Sequence, residues 1–145
     1  MRSFIAIDPG NKKCGLLLAD LEADLVLDGR VIDSNAVIDC ILEWRAQGPI
    51  DGIVLGNGTT SKYWEVRLKG LAPIEIVEER GTTLRARERY WELWPPGIWL
   101  RWLPRGLLLP TNPLDAVAAL VLLEDHLSKK LNWTGPPNFK ISLER

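Results

Sequence analysis

Three acidic residues stand where predicted secondary-structure elements begin or end, and their side chains could bind divalent metal ions. Asp8 follows an apolar run, Glu79 follows an alternating one, and Asp115 precedes eight consecutive apolar residues. Carboxylate oxygens are suited to Mg²⁺ or Mn²⁺ rather than to zinc. Two such ions about 4 Å apart can activate water and stabilise the leaving oxygen of a phosphodiester. If the fold joins these three ends, the sequence predicts a hydrolytic site.

Each of these acids also has a purely structural interpretation. Asp8 precedes Pro-Gly, where aspartate commonly forms turns, and Asp115 can stabilise a helix N-terminus through the helix dipole. Glu78 and Glu79 are adjacent, and neighbouring strand residues face opposite sides of a sheet, so one of the two must point away from Asp8. The combination of three acids at three element ends, rather than any one of them, favours the metal site.

The elements that position these acids alternate between strands and helices. Strands are predicted over residues 3–8, 15–20, 25–32, 51–56 and 74–78. Helices are predicted over residues 34–47, 62–69, about 82–93 and about 114–129, with Ser34 and Thr82 or Thr83 as N-caps. The first three strands follow one another too closely for parallel crossovers, so we expect an antiparallel meander within an α/β domain. If the later strands are parallel, their carboxyl ends share one edge with Asp8.

Length and composition restrict the function further. The chain has 145 residues, 46% of them hydrophobic, and a formal net charge of −1. That balance argues against a binder that holds nucleic acid by charge alone. The longest apolar run has eight residues, which is too short to cross a membrane, and Cys14 and Cys40 give no disulfide framework or zinc spacing. We expect a soluble, cytoplasmic protein with one domain over residues 1–131 and a C-terminal tail over 132–145.

Basic residues are concentrated in the middle of the chain. Residues 60–110 hold 9 basic and 6 acidic side chains, whereas residues 1–59 hold 5 and 9. Arg80 is the best candidate for a phosphate contact because it adjoins Glu79. Arg85 could equally belong to a solvated helix face, and Lys12 and Lys62 lie in turns near the same predicted edge.

Tryptophan is also concentrated. Four of the seven tryptophans fall between residues 91 and 102. They could stack on unpaired bases, pack against the core or form a homodimer contact. Packing or dimerisation is the favoured interpretation.

Three motifs of this sequence resemble those of a known family. They are Ile5-Ala-Ile-Asp8-Pro-Gly10 with Gly15 and Asp20, Val77-Glu-Glu79-Arg80 with Thr82-Thr83, and Asp115-Ala-Val-Ala-Ala119. In this order and spacing they resemble the YqgF-type Holliday-junction resolvases, of the RuvC-like branch of the ribonuclease H-like fold. The resemblance spans about residues 4–127.

The resemblance implies a five-stranded mixed sheet flanked by helices and metal-dependent cleavage of branched DNA or precursor ribosomal RNA. It implies metal-binding and catalytic roles for Asp8, Glu79 and Asp115, with two Mg²⁺ or Mn²⁺ ions. The matching Arg80, Thr82 and Thr83 are nucleic-acid contact candidates, together with Lys12, Lys62 and Arg85. RuvC itself tends to carry a further acid where this chain has Ala118, and the segment between Trp91 and Pro113 is longer than in compact members.

Two other functions fit parts of the sequence. A catalytically inactive ribonuclease H-like module would bind nucleic acid or a protein through the tryptophan-rich segment without cleaving anything. A relative of the sugar-kinase and actin ATPases would also carry a first-strand Asp-x-Gly. Those ATPases close two lobes around the nucleotide, and 145 residues cannot supply both.

Overall fold

The computed structural model describes residues 1–97, 102, 113–134 and 140–142. Its strands are β1 (Ser3–Asp8), β2 (Lys13–Asp20), β3 (Leu25–Asp33), β4 (Gly52–Gly56), β5 (Ile74–Val77) and β6 (Lys140–Ser142). Its helices are α1 (Val37–Gln47), α2 (Ser61–Leu68), α3 (Thr82–Leu93) and α4 (Asp115–Leu127), with a single 3₁₀ turn over Ser34–Ala36 before α1. All five predicted strands and all four predicted helices are present, with ends displaced by up to three residues.

The strands form one mixed sheet in the order β5-β4-β1-β2-β3-β6. β1, β2 and β3 are antiparallel, as the short connections predict, whereas β4 runs parallel to β1 and β5 runs parallel to β4. The sequence analysis did not predict β6, which pairs in parallel with β3 and comes from the segment 132–145 assigned to a tail. The five predicted strands therefore make a mixed sheet that β6 extends at one edge.

The two faces of the sheet are covered by different helices because strand side chains alternate. Ile5 and Ile7 of β1 face a core formed with α1 and α2, to which Trp44 and Trp64 contribute. The intervening Phe4 and Ala6 face the second core, where the apolar side of α4 packs. Helices on both faces of a mixed sheet give the layered α/β architecture that the sequence predicts.

Two helices begin differently from their prediction. Ser34 does not cap α1: its hydroxyl donates to the carbonyls of Asn11 and Lys12, and the Asp33 carboxylate accepts from the backbone N–H of Asn35. Gly81, in the left-handed conformation, takes the N-cap position of α3 rather than Thr82 or Thr83. In both places the path of the chain before the helix puts another residue at the N-cap position, although a polar side chain with good capping propensity is nearby.

Helix α3 lies against α4 and is joined to it by a buried ion pair. The Arg89 guanidinium donates to both carboxylate oxygens of Glu124, at 3.0 and 2.9 Å, and to the carbonyl of Leu131. The same Glu124 accepts from the backbone N–H of Leu131. Both side chains are about a tenth exposed, so the pair holds α3, α4 and the chain that follows α4 in one arrangement.

Removal of the Arg89 side chain should strongly destabilise the fold. Arg89→Ala leaves the Glu124 carboxylate buried without its partner, and we expect a loss of about 3 kcal/mol or more in the free energy of unfolding. Lys130→Ala is the matched control, because it breaks an exposed pair between Glu92 of α3 and the chain that follows α4 and should cost less than about 1 kcal/mol. Urea denaturation of both variants measures the difference, and equal midpoints would refute the structural role of Arg89.

Part of the tryptophan-rich segment packs inside the fold. The rings of Trp94 and Tyr90 lie 5.2 Å apart, and Trp94 also contacts Trp133 at 5.3 Å. Trp91 packs against the same cluster, whereas Trp102 is 85% exposed. Trp99 lies outside the described residues. Packing therefore accounts for Trp91 and Trp94.

None of the helices in the described residues is long and apolar enough to cross a membrane.

Candidate active site

The sheet places the candidate acids on the face covered by α4. In β1, Phe4 and Ala6 face α4, and by alternation Asp8 does too. Val77, at the end of β5, packs against the same core, so Glu79 continues on that face and Glu78 points the other way. Glu78 accordingly forms an exposed ion pair with Arg80, at 2.8 Å. The alternation thus selects Glu79 over Glu78 as the partner of Asp8.

A glycine lies beside Asp8 in each neighbouring strand. Asp8 pairs with Gly15 of β2, and the pairing of Ile7 with Leu55 places Gly56 of β4 next to Asp8 on the other side. Each missing side chain leaves room for another acidic residue. The two glycines therefore decide which groups can reach the Asp8 carboxylate.

Gly15 allows the start of α4 to lie directly on the sheet. A Cβ atom at Gly15 would fall 1.9 Å from the backbone carbonyl oxygen of Asp115 and 2.7 Å from the nitrogen of Ala116. Any other residue would push the helix N-terminus away. Asp115, at that terminus, is thereby held near Asp8, and its charge contributes to raising the Asp8 pKa.

Gly56 gives space to the carboxylate of Glu79. A Cβ atom at Gly56 would lie 2.1 Å from Glu79 Oε1, and one at Gly58 would lie 3.3 Å from Oε2. Asn57 fixes the backbone beside it, since its side-chain oxygen accepts from the N–H of Glu79 at 2.9 Å and its own N–H donates to Val77. The β4–α2 loop is thus a cradle for Glu79.

The carboxylates repel one another in this arrangement. The pKa of Asp8 is raised from 3.8 to about 8, chiefly by burial, then by the charge of Glu79 and a hydrogen bond with it, and last by the charge of Asp115. Glu79 Oε1 is buried, and no described residue donates a hydrogen bond to it. Two carboxylates share a hydrogen bond only when one holds a proton. A proton or a cation between Asp8 and Glu79 would relieve both the repulsion and the missing donor.

Asp115 is turned toward a lysine. Lys13 Nζ lies 3.6 Å from Asp115 Oδ2, with both side chains partly exposed. Within the part of the chain that the structure describes, no three Asp, Glu, His or Cys side chains already form a closed metal-binding group. Asp8 and Glu79 are in direct contact, and Asp115 is the third, outer acid. A buried oxygen without a donor and an all-carboxylate donor set fit a hard divalent cation.

The stability of the metal-free protein should fall as the pH rises from about 4 to about 8. Asp8 holds its proton in the folded state up to pH 8, whereas the unfolded chain releases it near 3.8, so deprotonation favours unfolding across this window. Glu79, Asp115 and the cation Lys13 are the charged groups that face it. Thermal unfolding in EDTA measures this slope, which should be shallower in Asp8→Asn. An equally steep fall in that variant would contradict the assignment to Asp8.

The predicted nucleic-acid contact residues differ in exposure and in their partners. Arg80 is 79% exposed beside Glu78, Thr82 and Thr83 begin α3, and Lys12 and Lys62 are exposed. Arg85 donates to both carboxylate oxygens of Asp125, which raises its pKa, so it joins α3 to α4. The sequence left a solvated helix face open for Arg85, and in the structure this partly exposed side chain pairs with Asp125.

Sequence reasoning missed the roles of four residues at this site. Gly15 gives room to the Asp115 backbone, and Gly56 and Gly58 give room to the Glu79 carboxylate. Asn57 accepts a hydrogen bond from the backbone N–H of Glu79. The available signal was strand register, since glycines opposite a strand-end acid indicate that something approaches closely there.

Comparison with known proteins identifies the fold. No protein-family model matches this sequence, and no curated protein does either. The structure is similar to Fowlpox virus resolvase in complex with Holliday-junction DNA, with a TM-score of 0.53, 11% sequence identity and coverage of 87% of this chain and 97% of that chain. T. thermophilus RuvC in complex with a Holliday-junction substrate gives a TM-score of 0.48 with 14% identity, over 90% and 99% of the two chains. At this identity the similarity to the Fowlpox virus resolvase shows a shared fold, which in this chain is a mixed sheet flanked by helices.

Proposed function

We propose that this protein is a divalent-metal-dependent endonuclease that hydrolyses phosphodiester bonds in structured nucleic acid. One observation carries the proposal: Asp8, Glu79 and the outer Asp115 lie on one face at one end of the sheet, in a cradle of glycines that has no structural need for three acids. Burial, together with the charges of Glu79 and Asp115, raises the Asp8 pKa to about 8, and a purely structural role would not require that cost.

The acids would bind the cations, and the neighbouring basic residues would contact the phosphate. Asp8 is central and would share a cation with Glu79 on one side and with Asp115 on the other. Mg²⁺ or Mn²⁺, when bound, supplies Lewis-acid activation of water and of the phosphate. Two ions would also turn an acidic edge into one that attracts phosphate. Lys13, beside Asp115, places an ammonium donor where a phosphate oxygen arrives, and Arg80 lies beyond Glu79.

The substrate we propose is branched DNA or a structured RNA such as precursor ribosomal RNA. The sequence motifs resemble the YqgF-type family, and the two similar structures are resolvases bound to Holliday-junction DNA. A homodimer through the segment from Trp91 to Trp102 remains a prediction. It would rest on Trp102 and the neighbouring residues, because Trp91 and Trp94 are already packed within the fold.

A cleavage panel tests this function. Four-way junctions, forked duplexes, linear duplexes and hairpin RNA are incubated with the protein in Mg²⁺, Mn²⁺ or EDTA. We expect cuts in branched DNA or structured RNA with either metal and none in EDTA. Binding without cleavage under every metal condition would instead favour the inactive ribonuclease H-like module.

A further inference from the structure

A cavity of about 400 Å³ opens between the turn that follows β1 and the β4–α2 loop. It is lined by Gly10, Asn11, Ser34, Asn35, Thr59, Thr60, Tyr63 and Trp64. Gly10 lies two residues after Asp8, and Thr59 directly follows Gly58, whose backbone touches the Glu79 carboxylate region. The cavity therefore lies close along the chain to residues of the acidic edge, and its size suits a small-molecule group.

The chemistry of the lining favours an anion. Hydroxyl and amide side chains predominate, and no acid is among the described residues that line it. Helix α2 begins at this cavity. The backbone N–H of Ser61 donates to the carbonyl of Gly58, and those of Lys62 and Tyr63 follow in the first turn, where N–H groups lack intrahelical acceptors and commonly bind anions. Thr60 precedes the helix, and in the described chain its side chain makes no capping hydrogen bond, so the hydroxyl is available.

A second observation shows a donor that lacks an acceptor. Trp64 is only 2% exposed and lines the cavity, yet its indole Nε1–H meets no acceptor among the described residues. An indole N–H buried in this way usually has a partner. An oxyanion in the cavity is a chemically suitable acceptor.

Positive charge borders the same cavity. The Arg67 guanidinium lies 4.6 Å from the centre of the Tyr63 ring, which is half exposed and forms part of the wall. Lys12 and Lys62 are exposed next to the lining residues Asn11 and Tyr63. A guanidinium held over an aromatic ring keeps its forked donors oriented, which suits a phosphate.

We propose that this cavity is a second phosphate-binding subsite, which holds a backbone phosphate of the nucleic-acid substrate away from the phosphate that is cut. The proposal rests on the proposed function, because it assumes that the strand crosses the acidic edge. It assigns Thr60, Arg67 and the Trp64 indole to substrate positioning rather than to bond cleavage.

Methylphosphonate scanning tests the proposal. Binding of a four-way junction and of hairpin RNA is measured in EDTA at low salt, with one neutral methylphosphonate moved along the strand. At one or more positions separate from the cut site, we expect the methylphosphonate to lower the affinity of the wild type by about fivefold to tenfold. At the same positions it should not lower the affinity of Arg67→Ala. Arg67→Ala should also reduce the salt slope by about one, and Thr60→Val should weaken binding without changing that slope.

Lys69→Ala is the matched control, since Lys69 lies at the other end of α2 and removes the same charge. It should leave both the affinity and the methylphosphonate profile as in the wild type. If Arg67→Ala and Thr60→Val keep the wild-type profile at every position, the subsite is refuted while the proposed function stands. If no nucleic acid binds, the proposed function fails and the subsite fails with it.

Inorganic phosphate distinguishes the source of the anion. Titration should shift the NMR signal of the Trp64 indole N–H, identified by its loss in Trp64→Phe. A shift accompanied by a flat methylphosphonate profile would show a site for small free phosphates and would overturn the assignment to a nucleic-acid backbone. No shift at saturating phosphate, again with a flat profile, would also overturn it.

Discussion

Asp8→Asn should reduce metal-dependent cleavage by about 10³-fold or more, the scale expected when a central electrostatic group of a preorganised site is removed. The substitution keeps the shape of the side chain and removes its charge between Glu79 and Asp115. It also removes the buried charge whose desolvation, together with repulsion from Glu79 and Asp115, raises the Asp8 pKa to about 8. The metal-free variant should therefore be more stable than the wild type at pH 8, by roughly 3 °C in melting temperature for each kcal/mol relieved.

Asp39→Asn provides the control for this variant. Asp39 is exposed on α1, far along the chain from the acidic edge, and the change in charge is identical. It should cleave like the wild type and gain no stability. Mg²⁺ should raise the melting temperature of the wild type and of Asp39→Asn but not that of Asp8→Asn. Cleavage by Asp8→Asn at the wild-type rate would remove Asp8 from the site.

Gly56→Ala should lower cleavage by about a hundredfold although it removes no charged group. The new methyl group would lie 2.1 Å from Glu79 Oε1, so the carboxylate must move. Displacement of a reacting group by about 1 Å is enough for an effect of this size. Gly58→Ala, whose Cβ would lie 3.3 Å from Oε2, should give a smaller loss in the same direction.

Gly48→Ala is the matched substitution, because its Cβ would meet no atom of the described residues within 4 Å. Single-turnover cleavage and the melting temperature are measured for all three variants. We expect the cleavage rate to be lowest in Gly56→Ala, intermediate in Gly58→Ala and highest in Gly48→Ala, with all three proteins folded. That order would support the role of the two glycines in leaving space for the Glu79 carboxylate. Wild-type rates in a folded Gly56→Ala protein would show that the position of Glu79 does not matter for cleavage.

Much of the fold could be predicted because its strands and helices follow simple periodic patterns. β1 to β5 are apolar or alternating runs bounded by turns, and the eight apolar residues after Asp115 predict a buried α4. The three residues of β6 carry no such pattern, and their pairing with β3 depends on the sheet that is already formed. The predicted N-cap of α3 was wrong, because capping propensity favours Thr82 or Thr83, whereas Gly81 takes that position and the helix begins at Thr82.

The sequence indicated which acids could lie together in the candidate site, but not which glycines make room for them. Strand ends and alternation indicate that Asp8, Glu79 and Asp115 can converge, and the structure brings Asp8 and Glu79 into contact. The roles of Gly15 and Gly56 depend on which residues lie side by side across strands far apart in sequence. Register of that kind follows from tertiary packing, so no local pattern indicates it.

The most direct test of the metal-dependent site is the anomalous diffraction of a crystal soaked in Mn²⁺. We predict Mn²⁺ density between Asp8 and Glu79, with a second ion on the Asp115 side and Lys13 moved away from that carboxylate. Density confined to other parts of the surface, with Asp8 and Glu79 still in contact, would contradict the account.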